Sequence, residues 1–116
     1  MPVDRCKLRF GPYRTPPYRL GAKVECQARG EVTIVGTSAA RIPWPVGQKG
    51  RAKSLVLYGD LAKAVHRESS IAVQHWWGVG PSTVWKWRRA LGVASPNEGD
   101  RALLGAYARS PMASGA

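Results

Sequence analysis

The chain has little of what most enzymes are built from: seven of its 116 residues are Asp or Glu and two are His. Hydrolases and phosphoryl-transfer enzymes converge several such groups on a metal or a reacting atom. That shortage argues against catalysis, and the expectation is a non-enzyme with no cofactor, no metal and no small-molecule substrate. Two cysteines, Cys6 and Cys26, cannot make a disulfide framework, and a zinc site would need both of them plus His66 and His75 from scattered positions. Reduced thiols, one of them buried, are expected instead. There is no apolar run long enough to cross a bilayer, and the segment Met1 to Arg5 lacks the apolar stretch of a secretory signal. The expected location is the cytoplasm, without a membrane partner.

What is abundant is positive charge. Eighteen Lys and Arg residues leave a formal charge of +11, with an isoelectric point near 10.5. Such a surplus does not determine a fold, but it attracts polyanions and makes nucleic acid the first partner to consider. The charge is uneven. Residues 1–58 hold eleven basic and three acidic residues, residues 59–96 five and two, and residues 97–116 two and two. With 44% hydrophobic residues and five Trp, the chain also has apolar surface to bury and is not a disordered basic tail. Its length suits one compact domain or two very small lobes.

Breakers and periodicity divide the chain into four parts. Residues 1–20 mix Arg14, Arg19 and other cations with Pro12, Pro16, Pro17, Tyr13 and Tyr18, which forbids a helix and predicts an extended basic arm. Such an arm suits backbone phosphates or a minor groove; equally, it is a solvated leader. In residues 21–58, Val24, Cys26 and Ala28 alternate with polar residues, and Val32 and Ile34 do the same beyond the turn at Arg29-Gly30. This predicts a β-hairpin. Two strands alone are marginal, and Ser54 to Tyr58 is the expected third. Between them lies a Pro-Trp-Pro loop in which Trp44 should plug the core, followed by an exposed basic stretch, Gln48 to Lys53.

Period two then gives way to period 3.6 over residues 59–94. Asp60 is the expected N-cap of a first helix with Leu61, Ala64 and Val65 inward and Lys63 and Arg67 on another face. Ser69 or Ser70 caps a second, which carries Trp76 and Trp77 and stops at Gly78. Pro81 opens a third, closed by Gly92. Residues 95–116 hold a short helix from Asn97, with Asp100 in its first turn and Ala102, Leu103, Ala106 and Tyr107 as its apolar residues, then a Ser/Gly/Ala tail.

Residues 71–91 carry the strongest signal. The run Gly78-Val79-Gly80-Pro81-Ser82-Thr83-Val84-Trp85-Lys86-Trp87 combines a glycine able to reverse the chain, a valine for the corner between two helices, and a second glycine as N-cap before proline. In the third helix Val84, Trp87 and Leu91 make the inward seam, while Ser82, Trp85, Lys86 and Arg89 share the outward face. The segment resembles the helix-turn-helix DNA-binding domains of transposases and bacterial regulators. It differs from their usual pattern at Gly80, where Ser is common, and at Gln74, where a small Ala lets the helices cross closely. Either the crossing is wider here or Gln74 bends away. The RIPWP loop, the LVLYGDLAKAVHRES stretch and the Trp-rich ending are similar, more weakly, to short bacterial proteins of unassigned activity.

Carried over by position, the resemblance implies base-facing roles for Pro81, Ser82, Trp85 and Lys86, with Arg89 on the same face, and phosphate contacts at Thr83 and Arg88. Lys63, Arg67, Arg14 and Arg19 are further expected phosphate contacts, chosen for their charge and place. The expected architecture is α+β, with an N-terminal β-hairpin or small three-stranded sheet packed beside a trihelical helix-turn-helix unit. The expected partner is double-stranded DNA, with a second copy of the chain or a larger protein as a further one. The expected role is in transcription regulation or in service of a mobile element. Two other readings stand beside this one. The first is a protein-interaction adaptor whose apolar patch is Trp76, Trp85 and Tyr107. The second is an RNA or single-strand binder stacking bases on Tyr13, Tyr18 and Trp44.

Overall fold

The computed structural model describes residues 6–108. It is an α+β arrangement of four antiparallel strands followed by four helices: β1 (Lys23–Cys26), β2 (Gly30–Thr37), β3 (Pro45–Lys49), β4 (Ala52–Leu55), α1 (Gly59–Arg67), α2 (Ser70–Trp77), α3 (Pro81–Leu91) and α4 (Glu98–Ala108). The strands lie in sequence order. The expected hairpin is β1–β2, with Val24 opposite Val32 and Cys26 opposite Gly30. A register shift between Ile34 and Gly36 inserts Val35 as a bulge and turns it outward, while Val32 and Ile34 stay buried.

The sheet has four strands rather than the two or three expected. The additional one, β3, begins at Pro45 and contains Gly47, two residues that weaken a strand signal in sequence. Proline is tolerated there because it opens the strand. Glycine is required because a Cβ at position 47 would lie 2.6 Å from Val32 Cγ2 and 2.9 Å from Val56 Cγ2. The predicted strand over residues 54–58 is displaced accordingly: β4 ends at Leu55, and Val56 and Leu57 form a buried connection toward α1. That connection curls the sheet. The Val56 N–H donates to Pro45 O at 3.0 Å, and the Gln27 N–H donates to Leu57 O at 2.8 Å. The Leu57 N–H donates to Cys26 Sγ at 3.3 Å. Chain leaving one edge strand thus bonds to the end of the other, which covers unpaired backbone groups that an open sheet would expose.

One aromatic cluster fastens the sheet to the helices. Trp44 from the loop before β3 and Trp77 from the end of α2 are both buried and meet edge to face at 6.0 Å. Tyr58, just before α1, meets Trp44 at 6.1 Å, and Tyr13 meets Trp77 at 5.7 Å. The Trp44 indole N–H donates to Val56 O at 2.7 Å, so the plug is also satisfied as a polar group. Trp44 therefore cannot serve as an exposed base-stacking platform.

Residues 6–20 contain no helix or strand, as the prolines dictate, but they are not a detached arm. The backbone N–H groups of Arg9 and Phe10 each donate to the Glu68 carboxylate at 2.8 Å, and Tyr13 Oη donates to it at 2.7 Å. The Arg14 N–H donates to Asp60 Oδ2 at 2.8 Å and Thr15 Oγ1 to Pro43 O at 2.6 Å. The Trp76 indole N–H donates to Cys6 O, and Tyr18 Oη shares a hydrogen bond with Thr37 Oγ1. Asp60 is thus drawn to the strap and does not cap α1, whose N-cap is Tyr58 with no side-chain bond. Burial pushes the Tyr13 hydroxyl well above its ordinary pKa, and its hydrogen bond to Glu68 adds to the shift.

Glu68 is wholly buried. Truncating it by Glu68→Ala removes the acceptor for three donors and should cost about 3 kcal/mol. The expected outcome is a lower urea midpoint, together with faster amide hydrogen exchange at Arg9 and Phe10 than at the β2 amides. Unchanged exchange at those two positions would show that the strap does not depend on this carboxylate.

Candidate nucleic-acid interface

The two helices α2 and α3 and the turn between them are built as the residue pattern dictates. Ser69 caps α2 by accepting the Ala72 N–H at 3.1 Å. Gly78 ends the helix in the left-handed region, at φ 68° and ψ 42°, and the N–H groups of Gly78 and Val79 both donate to Gln74 O. A Cβ at position 78 would also lie 2.9 Å from Ala40 Cβ. Gly80 is the N-cap of α3 and Pro81 its first residue; Gly92 closes it at φ 69°. Gln74 folds back along its own helix and donates to Ser70 Oγ at 3.0 Å.

In α3, Val84 and Trp87 are buried and Leu91 packs on the same core. Ser82, Lys86 and Arg89 are exposed, and Trp85 is 54% exposed. The Arg89 guanidinium lies 4.8 Å from the centre of the Trp85 ring. This cation–π contact fixes two long side chains side by side on the outward face. A hydroxyl, an indole, an ammonium and a guanidinium therefore line one free face of an 11-residue helix. Such groups suit the edges of base pairs. Thr83 is half-buried near the start of the helix.

Arg88 departs from its expected role. It is 5% exposed, and its Nη1 donates to Asp100 Oδ2 at 2.7 Å while Nη2 donates to Glu68 O at 3.3 Å. A guanidinium committed in this way inside the helical unit does not face solvent, so Arg88 is a structural residue rather than a phosphate contact. The periodicity explains it: position 88 follows Trp87 and lies beside the inward seam. Asp100 belongs to a reciprocal cap at the start of α4, where its N–H donates to Asn97 Oδ1 at 2.9 Å and its carboxylate accepts the Asn97 N–H at 3.1 Å. The same carboxylate accepts the Ser70 N–H at 3.0 Å. The Asn97 amide meanwhile donates to the Val65 and His66 carbonyls at the end of α1 and to that of Glu68, its C-cap. Gly99 is part of this joint, because a Cβ there would overlap the backbone of Arg67, Glu68 and Ser69.

The remaining predicted cations are exposed but differ in their commitments. Arg67 lies in a salt bridge with Glu98 at 3.2 Å and over the Phe10 ring at 4.1 Å. Lys63 sits 3.6 Å from Asp60. Arg14, Lys63 and Arg67, three of the predicted phosphate contacts, line one cleft of about 550 Å³ together with His66, Phe10, Tyr13 and Asp60. Arg19 is exposed on the strap, outside that cleft. His75 is half-buried against Trp76. The side chains of Ala106 and Tyr107 and the Ser/Gly/Ala tail lie outside the described residues. Among the described residues no cluster of His, Cys, Asp and Glu fits a metal ion, and no helix is long and apolar enough to cross a membrane.

Sequence reasoning missed a further group of cations, Lys49, Arg51 and Lys53 at the β3–β4 turn, as site residues. Three cations within Lys49 to Lys53 beside a glycine was the available signal. The chain matches no family profile, no curated protein and no solved structure.

The Arg88–Asp100 pair gives the fold a defined acid sensitivity. Burial raises the Asp100 carboxyl, but the Arg88 guanidinium and the Ser70 and Asn97 N–H groups outweigh it and hold the folded-state pKa below the ordinary value. A depressed carboxylate contributes stability that is complete above its unfolded pKa and disappears as pH falls through the folded one. Native protein should therefore lose stability at acid pH, below the ordinary Asp range, by a component that Asp100→Asn lacks. Asp100→Asn should also be less stable at pH 7 by about 3 kcal/mol, since it leaves a buried guanidinium uncompensated. Urea unfolding at several pH values measures both.

Proposed function

We propose that this chain binds duplex DNA without catalysing a reaction, laying α3 in the major groove so that Ser82, Trp85, Lys86 and Arg89 meet base edges. The observation that carries the reading is the free outward face of α3, with its Trp85–Arg89 stack, on a helix whose opposite face is locked into the core. Lys or Arg pairs with guanine O6 and N7, Ser donates to or accepts from several bases, and an indole offers apolar contact to a thymine methyl. Phosphate contacts fall to Thr83 at the helix start and to Lys63, Arg14 and Arg19, with Arg67 contributing if it leaves Glu98. Arg88 has no part in binding. The role that follows is local: a small regulator or a component of a mobile element, acting alone or as a dimer.

The RNA or single-strand reading loses its main support, because Trp44 is buried and the rings of Tyr13 and Tyr18 are half-buried against the core. The adaptor reading keeps the exposed indole of Trp85.

Lys86→Ala/Arg89→Ala separates these readings. Both side chains are exposed, so the fold should survive. Duplex affinity should fall at least about tenfold at 0.15 M salt, as two cations are removed from the face that meets the polyanion. For native protein, about five phosphate contacts predict a slope near −4.5 in log K against log salt. Fluorescence anisotropy with duplex, single-stranded DNA and RNA of one random sequence measures all of this. Duplex binding unchanged by the double substitution would make the helical unit a scaffold.

A further inference from the structure

The cations at the turn between β3 and β4 are not scattered over the surface. Arg29, from the β1–β2 turn, reaches across this hairpin and donates to Gly47 O at 2.8 Å, Ala52 O at 3.2 Å and Ser54 O at 3.4 Å. Lys49 Nζ returns the contact by donating to Arg29 O at 2.6 Å. Two turns are thus bound to each other, and the exposed Arg51 and Lys53 stand on a braced support rather than on a loose loop. The hairpin also stands beside α3. A groove of about 280 Å³ runs between them, with Lys53 and Ser54 on the strand side and Thr83, Lys86 and Ala90 on the helix side. Its lining includes no carboxylate, whereas the larger cleft under the strap contains Asp60.

We infer that the β3–β4 hairpin is a second DNA-binding element, and that the groove between β4 and α3 takes the phosphodiester backbone of the strand bordering the major groove that α3 enters. The inference rests on the reading of α3 as the DNA-contacting helix and adds to it a specific wall for phosphate. Charge complementarity selects the occupant. Lys53 and Lys86 face one groove from opposite elements, hydroxyl donors from Ser54 and Thr83 lie between them, and Arg51 extends the positive edge at the turn. Phosphate oxygens need donors of this kind and carry no sequence information, so the hairpin, with Lys86 at the groove's edge, sets register and affinity, while Ser82, Trp85 and Arg89, which lie outside the groove lining, select bases. A braced support matters here because a turn whose backbone is already tied down loses little loop freedom on binding.

The test compares native protein with Arg51→Ala/Lys53→Ala on a 20-base-pair random-sequence duplex, at a series of salt concentrations, by fluorescence anisotropy. Both residues are exposed and neither belongs to α3, and a circular dichroism melt checks that the fold is kept. Loss of two phosphate contacts should reduce the magnitude of the salt slope by about 1.8 and weaken binding at least about tenfold at 0.1 M salt. Lys23→Ala/Arg101→Ala removes the same charge from β1 and α4 and should change the slope by less than half as much. If the Arg51/Lys53 variant matches native protein while Arg89→Ala, which leaves the groove lining intact, binds weakly, the hairpin inference is wrong and the reading of α3 stands. Equal losses from the two surface pairs would also overturn it, since charge alone would then account for the effect. If native protein does not bind the duplex at all, both ideas fall together.

Discussion

A single buried carboxylate organises the helical half of this molecule. Glu68 lies where α1 gives way to α2, and its side chain and backbone serve different masters. The carboxylate accepts the N–H groups of Arg9 and Phe10 and the hydroxyl of Tyr13, while its carbonyl accepts from Arg88 of α3 and Asn97 before α4. Its own N–H closes α1 on Ala64 O at 2.7 Å. A carboxylate taken from water is costly unless its oxygens are hydrogen-bonded, and three donors bond them here. The N-terminal strap is therefore part of the solvation of Glu68. Two of its donors are backbone N–H groups, so the strap must keep its path for the carboxylate to remain buried.

The same economy recurs one turn away. The α1–α2 junction exposes carbonyl and N–H groups that neither helix can satisfy. Asn97 takes the carbonyls, Asp100 takes the Ser70 N–H, and Arg88 neutralises Asp100. The three-helix unit is accordingly incomplete without residues on both sides of it. The strap closes it from the front, and the first turn of α4 from the back. The aromatic cluster makes a third tie, with Tyr13, Trp44, Tyr58 and Trp77 each coming from a different stretch of chain.

Much of this was legible in the sequence, and the misses share a cause. Caps and turns that act locally were readable: Ser69, Gly78, Pro81 and Gly92 do what their residue types dictate, and the inward seam of Val84, Trp87 and Leu91 follows from spacing alone. Where a residue's partner is distant in sequence, the local reading failed. Asp60 has the chemistry of a cap but bonds Arg14, and Arg88 has the chemistry of a phosphate ligand but bonds Asp100. Strand β3 was hidden because Pro45 and Gly47 are locally poor strand residues, and only the approach of Val32 and Val56 makes Gly47 fit. The candidate site was legible on α3 and illegible on the hairpin, because nothing local shows that Lys53 and Lys86 face one groove.

That last juxtaposition changes the meaning of the charge. Along the chain, most of the +11 precedes residue 59, apart from the helices, which invites a division between a basic front that attracts and a helix that selects. Folding removes the division. Arg88 is withdrawn into the helical interior and Arg29 is spent on bracing a hairpin. Arg67 is tied to Glu98. What remains at the groove combines cations from both halves, with Lys53 contributed by the front and Lys86 by α3. Cations that converge on a concave, low-dielectric wall raise the local potential more than the same number dispersed over a convex surface. The sheet's position beside α3, with Trp44 against Trp77, therefore determines how these cations are arranged as well as how the core is filled.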